Sequence, residues 1–481
     1  MPVRPLTRDQ VFMFPPSLDD LIPADHPVRL VADLVESLGP SERQEMGINS
    51  AGDPMGAPSY HDILLTEVWV YGFMRGIRSN RGLERACREM VPFMWLTGMQ
   101  FPDHVSLWRY YDTHRDGMRG LLKRTVRTAV KMGLVDLVLQ AVDGTKIKGN
   151  ATADRTYDEE GLKRLMGRVD EAIEELEAQC VADENSSQGE LPAELCDERR
   201  RREEIEKALE QVRAEEGRKR INLTDPDTRL VKGRQGLVAG YNAQAMVSPL
   251  KAEHGGGLLI TAADVTNAAD DHEQLVPMIG QAEENTGDRA ETTLADGGYH
   301  SGKNLEACQR EGYTVLMSES QRKAREKPYH KDRFAYDGER DEYECPEGQR
   351  LHYAGVKRRK NRPEMRVYRG RGSVCRECPA FGECTKDRRQ GRAIEVGPHE
   401  KELRAHRELM SQQESQDLYK RRKETVEPVF GTLKEVQGAR QFLLRGLRKV
   451  TGEWFLLATA FNLRSLWRSW VRLRTRWSWT G

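Results

Sequence analysis

Three acidic residues stand in contexts that suit divalent-metal chemistry. Asp143 closes the apolar run Leu137-Val-Leu-Gln-Ala-Val, with Gly144 behind it. Asp296 has the same setting in Leu294-Ala-Asp-Gly-Gly-Tyr-His, and Glu427 lies in Thr425-Val-Glu-Pro-Val-Phe-Gly-Thr-Leu-Lys. A carboxylate at a strand end beside glycine is placed to reach solvent and a metal ion. Singly, each acid has a plainer reading. Asp-Gly is ordinarily a turn. Glu427, ahead of Pro428, suits a helix start, where an acid complements the dipole. Together they point further. Mg²⁺ takes one or two carboxylates plus phosphate oxygens, and two ions about 3.5–4 Å apart clamp the attacking and leaving oxygens of a phosphodiester. Two strand-end acids and one from a following helix are the protein side of such a site. Lys434, seven residues after Glu427, is two helical turns on and can share its face.

A second constellation is sulfur. Cys345, then Cys375-Arg-Glu-Cys378, then Cys384 fit a four-thiolate zinc knuckle, against the alternative of ordinary reduced thiols. Cys87, Cys180, Cys196 and Cys308 lack such spacing. His104, His272 and His300 invite catalytic readings, but metal-activated water requires no histidine base, and His300 reads as a surface-loop residue.

The elements that must position these groups follow from periodicity. Residues 1–133 read as a set of helices with arginine and aromatic residues interleaved, including Arg75, Arg78, Arg81 and Arg85, and a helix starting at Ser106 as N-cap. That pattern suits a helix-turn-helix-like DNA contact or a bundle with solvated arginines. From Leu134 the chain turns β-rich, with a turn expected at Asp143-Gly144. Leu162, Leu165, Val169, Ile173 and Leu176, then Ile205, Leu209 and Val212, give an antiparallel helical hairpin over 155–220, split by the loop-like Asp183–Pro192. Strands are expected at Gly240–Val247, Leu258–Thr266, Thr292–Tyr299 and Tyr313–Met317, and helices at Asp271–Glu284 and Gly302–Glu311. Alternation of this kind makes a mixed α/β sheet over 134–320. Residues 321–397 read as a basic, irregular, Cys-rich insertion. Residues 398–481 read as helical, with Trp454–Leu463 buried and Trp467–Gly481 a surface tail.

The 481 residues carry 76 Lys+Arg and 76 Asp+Glu, a formal net charge of zero, and 38% hydrophobic residues. At roughly 100–200 residues per domain this gives two to four domains. The longest near-apolar run, Trp454–Phe461, is too short for a membrane span. No signal peptide is visible at Met1-Pro-Val-Arg, so a cytoplasmic location is expected. Zero net charge does not exclude DNA, because local clustering decides that. Acid concentrates in the hairpin, while Lys357–Arg362, Arg388–Arg392 and Arg440–Lys449 are basic clusters for backbone phosphates. Binding should weaken steeply with salt, by about 0.9 log units per phosphate for each log unit of salt.

On these motifs the chain resembles bacterial insertion-sequence transposases of the DDE superfamily. The resemblance rests on Ala141-Val-Asp-Gly-Thr-Lys-Ile-Lys-Gly-Asn, Leu294-Ala-Asp-Gly-Gly-Tyr and Val426-Glu-Pro-Val-Phe-Gly-Thr-Leu-Lys. Leu223-Thr-Asp-Pro-Asp-Thr-Arg-Leu-Val-Lys and Gly240-Tyr-Asn-Ala-Gln support it, and it covers nearly the whole chain. It implies a ribonuclease-H-like catalytic domain split by the hairpin and the Cys-rich insertion, preceded by an all-helical DNA-binding domain. It implies Asp143, Asp296 and Glu427 as the ligands of two Mg²⁺ or Mn²⁺ ions, and Lys434, Lys423, Arg422 and Lys146 as DNA contacts. Cys345, Cys375, Cys378 and Cys384 would hold a structural Zn²⁺. Relatives often carry Tyr seven and Arg four residues before the glutamate. Those positions here are Lys420 and Lys423, with Tyr419 and Arg422 each one residue earlier.

The expected function is a transposase. It would bind terminal inverted repeats, hydrolyse phosphodiesters and join the freed 3′-OH ends to target DNA, as a homodimer on DNA in the nucleoid. The alternatives are a metal-dependent nuclease of the same fold without strand transfer, and a non-enzymatic DNA-binding zinc protein. An intact triad argues against the last.

Overall fold

The computed structural model describes residues 17–48, 59–182, 193–215, 217–233, 236–268, 270–319, 327–359 and 363–477. The expected loop Asp183–Pro192, residues 360–362 of the first basic cluster and the last four residues lie outside this set.

Seven helices open the described chain: α1 (Pro27–Glu36), α2 (Pro40–Glu45), α3 (Asp62–Met74), α4 (Asn80–Glu89), α5 (Val91–Leu96), α6 (His104–His114) and α7 (Met118–Lys131). Every residue of α3 from Ile63 to Met74 is buried, as expected of a helix without a polar face. Helix α6 starts before Ser106. Asp103 is its cap, accepting the N–H of Val105 at 2.8 Å and of Ser106 at 2.7 Å, and so satisfies two orphan donors at once.

A six-stranded mixed sheet follows. It comprises β1 (Leu139–Lys148), β4 (Arg229–Gly233), β5 (Gly236–Pro249), β6 (Leu258–Thr266), β7 (Thr292–Ala295) and β8 (Val315–Met317), in the order β4-β5-β1-β7-β8 with β6 also on β5. β1 runs antiparallel to β5 and parallel to β7, and β7 runs parallel to β8. Parallel neighbours need crossovers. Helices α10 (Leu275–Thr286) and α11 (Gly302–Glu311) supply them, and they cover one face over Val142, Met246 and Ala262.

The expected helical hairpin is present as α8 (Glu159–Ala182) and α9 (Ala193–Ala214). Pairs Glu159–Arg213, Asp170–Arg202 and Glu177–Arg199 fix the two arms antiparallel. Leu162, Leu165, Val169, Ile205 and Leu209 fill the seam, and the two-stranded β2 (Thr156–Tyr157) and β3 (Ile221–Asn222) close its base.

Residues 335–396 are not irregular. They form a five-stranded antiparallel sheet, β9 (Ala335–Asp337), β10 (Glu342–Glu344), β11 (Arg350–Lys357), β12 (Met365–Gly370) and β13 (Ala393–Val396), with the short α12 (Gly372–Glu377) between the last two. Its core is Phe334, Tyr343, Leu351, Tyr368, Ile394 and Val396. Three-residue strands and a bulge between Tyr353 and Gly355 break the alternation that would have marked it.

The chain ends in α13 (Glu400–Ser411), α14 (Gln413–Gly431), a π turn (Thr432–Val436) and α15 (Leu447–Trp477). Trp454–Leu463 is buried, as expected. The expected surface tail is instead helix as far as Trp477, because only Gly452 and no proline interrupts α15. Asn462 of α15 both donates to Ile260 O and accepts from Ile260 N–H at 2.8 Å, which locks the helix to β6. One continuous apolar core contains Val28 of α1, Val68 of α3, Leu122 of α7, Ala141 of β1 and Leu456 of α15. The N-terminal helices therefore share their interior with the sheet. Among the described residues no helix is long and apolar enough to cross a membrane.

Candidate active site

β1 runs unbroken through Asp143-Gly144, with Asp143 opposite Ala245 and Gly144 opposite Gln244. The expected turn is therefore a mid-strand glycine. A Cβ there would lie 2.4 Å from Gln244 Nε2 and 2.6 Å from Asp271 Oδ1, so close approach of side chains, not a turn, calls for glycine. Asp296 directly follows β7, as expected. Parallel pairing of β1 with β7 ends at Ala141↔Leu294. Asp143 and Asp296 each come two residues later, and strand alternation places both on the face of Ala141 and Leu294.

The electrostatics reflect that pairing. Burial pushes the Asp143 carboxyl up to about 6; the Arg422 guanidinium opposes this and the Asp296 carboxylate adds to it. Two hard-oxygen donors that disfavour each other's charge fit a divalent cation such as Mg²⁺ or Mn²⁺.

Helix α14 crosses the same face. Val426, Val429 and Phe430 enter the core, and Arg422 Nη1 donates to Asp143 Oδ2 at 3.0 Å. Glu427 lies inside this helix, exposed, and not at its start. The run of Gln, Glu, Lys and Arg from Gln413 is strongly helix-forming. Pro428 forfeits only the bond to the carbonyl of Glu424, on the exposed side. Asp143 and Asp296 are brought together, and Glu427 stands on the helix whose Arg422 reaches Asp143. Lys434, in the π turn, donates to Thr145 Oγ1 at 2.5 Å, two residues beyond Asp143. Lys423 is exposed.

Sequence reasoning missed Asp271. Its Oδ1 accepts from Asn242 Nδ2 at 2.6 Å and Gln244 Nε2 at 2.7 Å. Lys146 Nζ, buried and turned inward, is 3.7 Å away. Gln244 Oε1 accepts the Tyr299 hydroxyl. A Cβ on Gly298 would meet Asp296 Oδ1 at 2.9 Å and Asp271 Oδ2 at 3.3 Å, so a third carboxylate borders the pair. Burial, aided by Asp271, Asp143 and Asp296, holds the Tyr299 hydroxyl well above its ordinary range. The available signal was Asn242 and Gln244, two amides within a strand that is otherwise apolar.

His300 is not an open surface residue: its side chain is only 10% exposed. Its Nε2 lies 3.3 Å from Glu319 Oε1, and its ring centroid 5.2 Å from that of His406. These three residues bring ligand-type atoms within 4.8 Å of one another. However, His406 Nε2 accepts the Met317 N–H at 3.2 Å, so its proton sits on Nδ1 and the ring has no lone pair left for a metal. His104 bonds Glu84 at 2.8 Å, and the carbonyl of His272 accepts from Asn304 at 2.6 Å.

Cys345, Cys375, Cys378 and Cys384 line one cavity of about 360 Å³. Backbone N–H groups of Gln349 and Arg392 point at the sulfurs of Cys345 and Cys375, at 3.3 and 3.5 Å. Burial pushes the Cys384 thiol up, and the other three thiols add to the effect. The donor set suits zinc. Cys87 and Cys308 are buried, Cys180 and Cys196 exposed.

Arg75, Arg81 and Arg85 are exposed on the N-terminal helices. Arg78 is not available to DNA. It donates to Gln441 O at 2.8 Å and pairs with Glu453, the two side chains 6% and 2% exposed. In the basic clusters Lys357 and Arg359 pair with Glu395, Arg358 with Glu364, and Arg448 with Asp116, while Arg388 and Arg389 are exposed.

Residues 344–467 match the model of a transposase DDE domain, and residues 16–113 match that of a transposase domain, DUF772. The first match carries Glu427, Lys434 and the four clustered cysteines, and the second carries Arg75–Arg85. Asp143 and Asp296 fall outside both. With a mixed α/β sheet between them, the two matches indicate an insertion-sequence transposase of the DDE type. No curated protein matches the chain.

Proposed function

We propose that this chain binds the ends of a mobile DNA element, hydrolyses phosphodiesters there and joins the freed 3′-OH ends to target DNA. Asp143 and Asp296, with Glu427, hold the Mg²⁺ or Mn²⁺ ions. The observation that carries this reading is the pairing of Asp143 and Asp296 at matched positions on adjacent parallel strands. When bound, the ions activate the attacking hydroxyl and offset charge on the phosphate. The protein's own part is to hold them and orient DNA. Arg422, Lys434 and Lys146, which reach Asp143, Thr145 and Asp271, contact the DNA backbone there, together with the exposed Lys423. Arg75, Arg81, Arg85 and the helix from His104 read the ends, since base contacts specify and phosphate contacts position. The four cysteines hold a zinc that ties β10 and β11 to α12. Two ends must be held at once, so the active form is a homodimer on DNA, acting in the cytoplasm on the nucleoid. The sheet, hairpin and Cys-rich unit are read as a ribonuclease-H-like core with two insertions.

The test uses labelled duplexes carrying the inverted repeats that flank the gene, with Mg²⁺. Nicked and joined products are expected from the wild type. Asp143→Asn, Asp296→Asn and Glu427→Gln should bind the duplex normally and give neither product. Nicking without joining would make the protein a nuclease, and full activity in any of the three variants would remove that acid from the site.

A further inference from the structure

We propose that Arg422 is a resident counter-ion of the catalytic carboxylates, with which a divalent cation must compete for Asp143. This rests on reading Asp143 and Asp296 as the cation-holding pair. Both oxygens of Asp143 are engaged. Oδ1 accepts the Gly144 N–H at 2.9 Å, and Oδ2 accepts Arg422 Nη1 at 3.0 Å. The Arg422 side chain is 13% exposed and that of Asp143 21%, so water screens the pair poorly. Each oxygen keeps a second lone pair, but a guanidinium and a divalent cation on one carboxylate repel each other, so the two compete for its charge. Nor is Arg422 one of a set of interchangeable surface cations. Its helical neighbours Lys420 and Lys423 are exposed, and Lys420 pairs with Asp417 at 2.7 Å.

Arg422 thus acts as a latch on Asp143, holding its carboxylate against an incoming cation.

The experiment measures Mn²⁺ affinity of the full-length protein without DNA, by calorimetry and by loss of the free-Mn²⁺ paramagnetic signal. Arg422→Gln and Arg422→Met remove the charge and should bind Mn²⁺ about tenfold or more tightly than the wild type, the effect expected on losing a close competing charge. Arg422→Lys keeps the charge and should stay within a few-fold of the wild type. Two neutral variants guard against one that folds poorly, and their thermal melts establish which is intact. Neutral variants that fold and bind no more tightly, while Asp143→Asn loses binding, overturn the latch alone. Undiminished Mn²⁺ affinity in both Asp143→Asn and Asp296→Asn overturns the cation site itself.

Discussion

Asp143 and Asp296 each stand two residues past a pair, Ala141 and Leu294, that is in register on adjacent parallel strands. Strand pairing thus sets where both carboxylates emerge, Asp143 within β1 and Asp296 one residue past the end of β7. A sheet holds such groups with little freedom, which is what a site that must place two phosphate-bound oxygens needs.

That geometry depends on Gly144. Gly144→Ala puts a methyl 2.4 Å from Gln244 Nε2 and 2.6 Å from Asp271 Oδ1, so the amides that hold Asp271 must move. Denaturant unfolding should show a loss of roughly 1–3 kcal/mol. DNA nicking should fall more than end binding, because the displaced groups border the acids.

The N-terminal helices should not be separable from the rest. Arg78 and Glu453 form a buried pair, and Glu453 also accepts the N–H of Leu443 and Leu444 at 3.1 and 3.2 Å. Arg78→Ala leaves a buried carboxylate without its counter-ion and should cost about 3–5 kcal/mol in equilibrium unfolding. Deleting residues 1–130 removes much of the shared core. It should give an unfolded chain by circular dichroism, not a folded protein that merely loses preference for the ends.

Glu67 gives a pH signature away from the site. It is 4% exposed on α3, and burial, with Glu36 adding, pushes its carboxyl from 4.5 up to about 8. An acid whose folded value lies above its unfolded value carries a penalty that is absent below 4.5, grows as pH rises and is complete above 8. Glu67→Gln should match the wild type in stability near pH 4.5 and exceed it at pH 8 and above by an amount on the order of a few kcal/mol, with a correspondingly higher melting temperature. A difference in melting temperature that does not widen with pH would contradict the assignment.

The cysteine cluster predicts a metal count. Purified protein should contain one zinc per chain, and Cys378→Ser should lose it. A chelator should lower the melting temperature of the wild type and leave that of Cys378→Ser unchanged. Zinc-free wild type with an unaltered melt would mean the thiols are merely gathered around their cavity.

Long, strongly periodic elements were legible in the sequence. Leu258–Thr266 and Gly302–Glu311 match β6 and α11 at both ends, and the hairpin seam was readable from its leucines. Local chemistry misled where tertiary context overrode it. Asp143-Gly144 has turn chemistry, yet it lies mid-strand because β5 pairs across it. Pro428 looks like a helix start, but α14 begins fifteen residues earlier, at Gln413. Other features depend on partners far away in the chain. Nothing near Arg78 separates it from Arg75 or Arg81, because its partner is 375 residues on. Asp271 gains its place from amides on β5, 27 and 29 residues before it, a contact that nothing beside Asp271 in the chain specifies.

The central claim, that Asp143 and Asp296 jointly hold the ion that drives phosphodiester cleavage, is tested most directly by changing the metal preference of one ligand. Asp296→Cys replaces a hard oxygen with a soft sulfur, and cleavage of end DNA is then measured in Mg²⁺, Mn²⁺ and Cd²⁺. No cleavage is expected in Mg²⁺ and partial recovery in Mn²⁺ or Cd²⁺, with recovery lost again when Asp143→Asn is added. Wild-type cleavage by Asp296→Cys in Mg²⁺, or a folded, DNA-binding variant that no thiophilic metal restores, would contradict it.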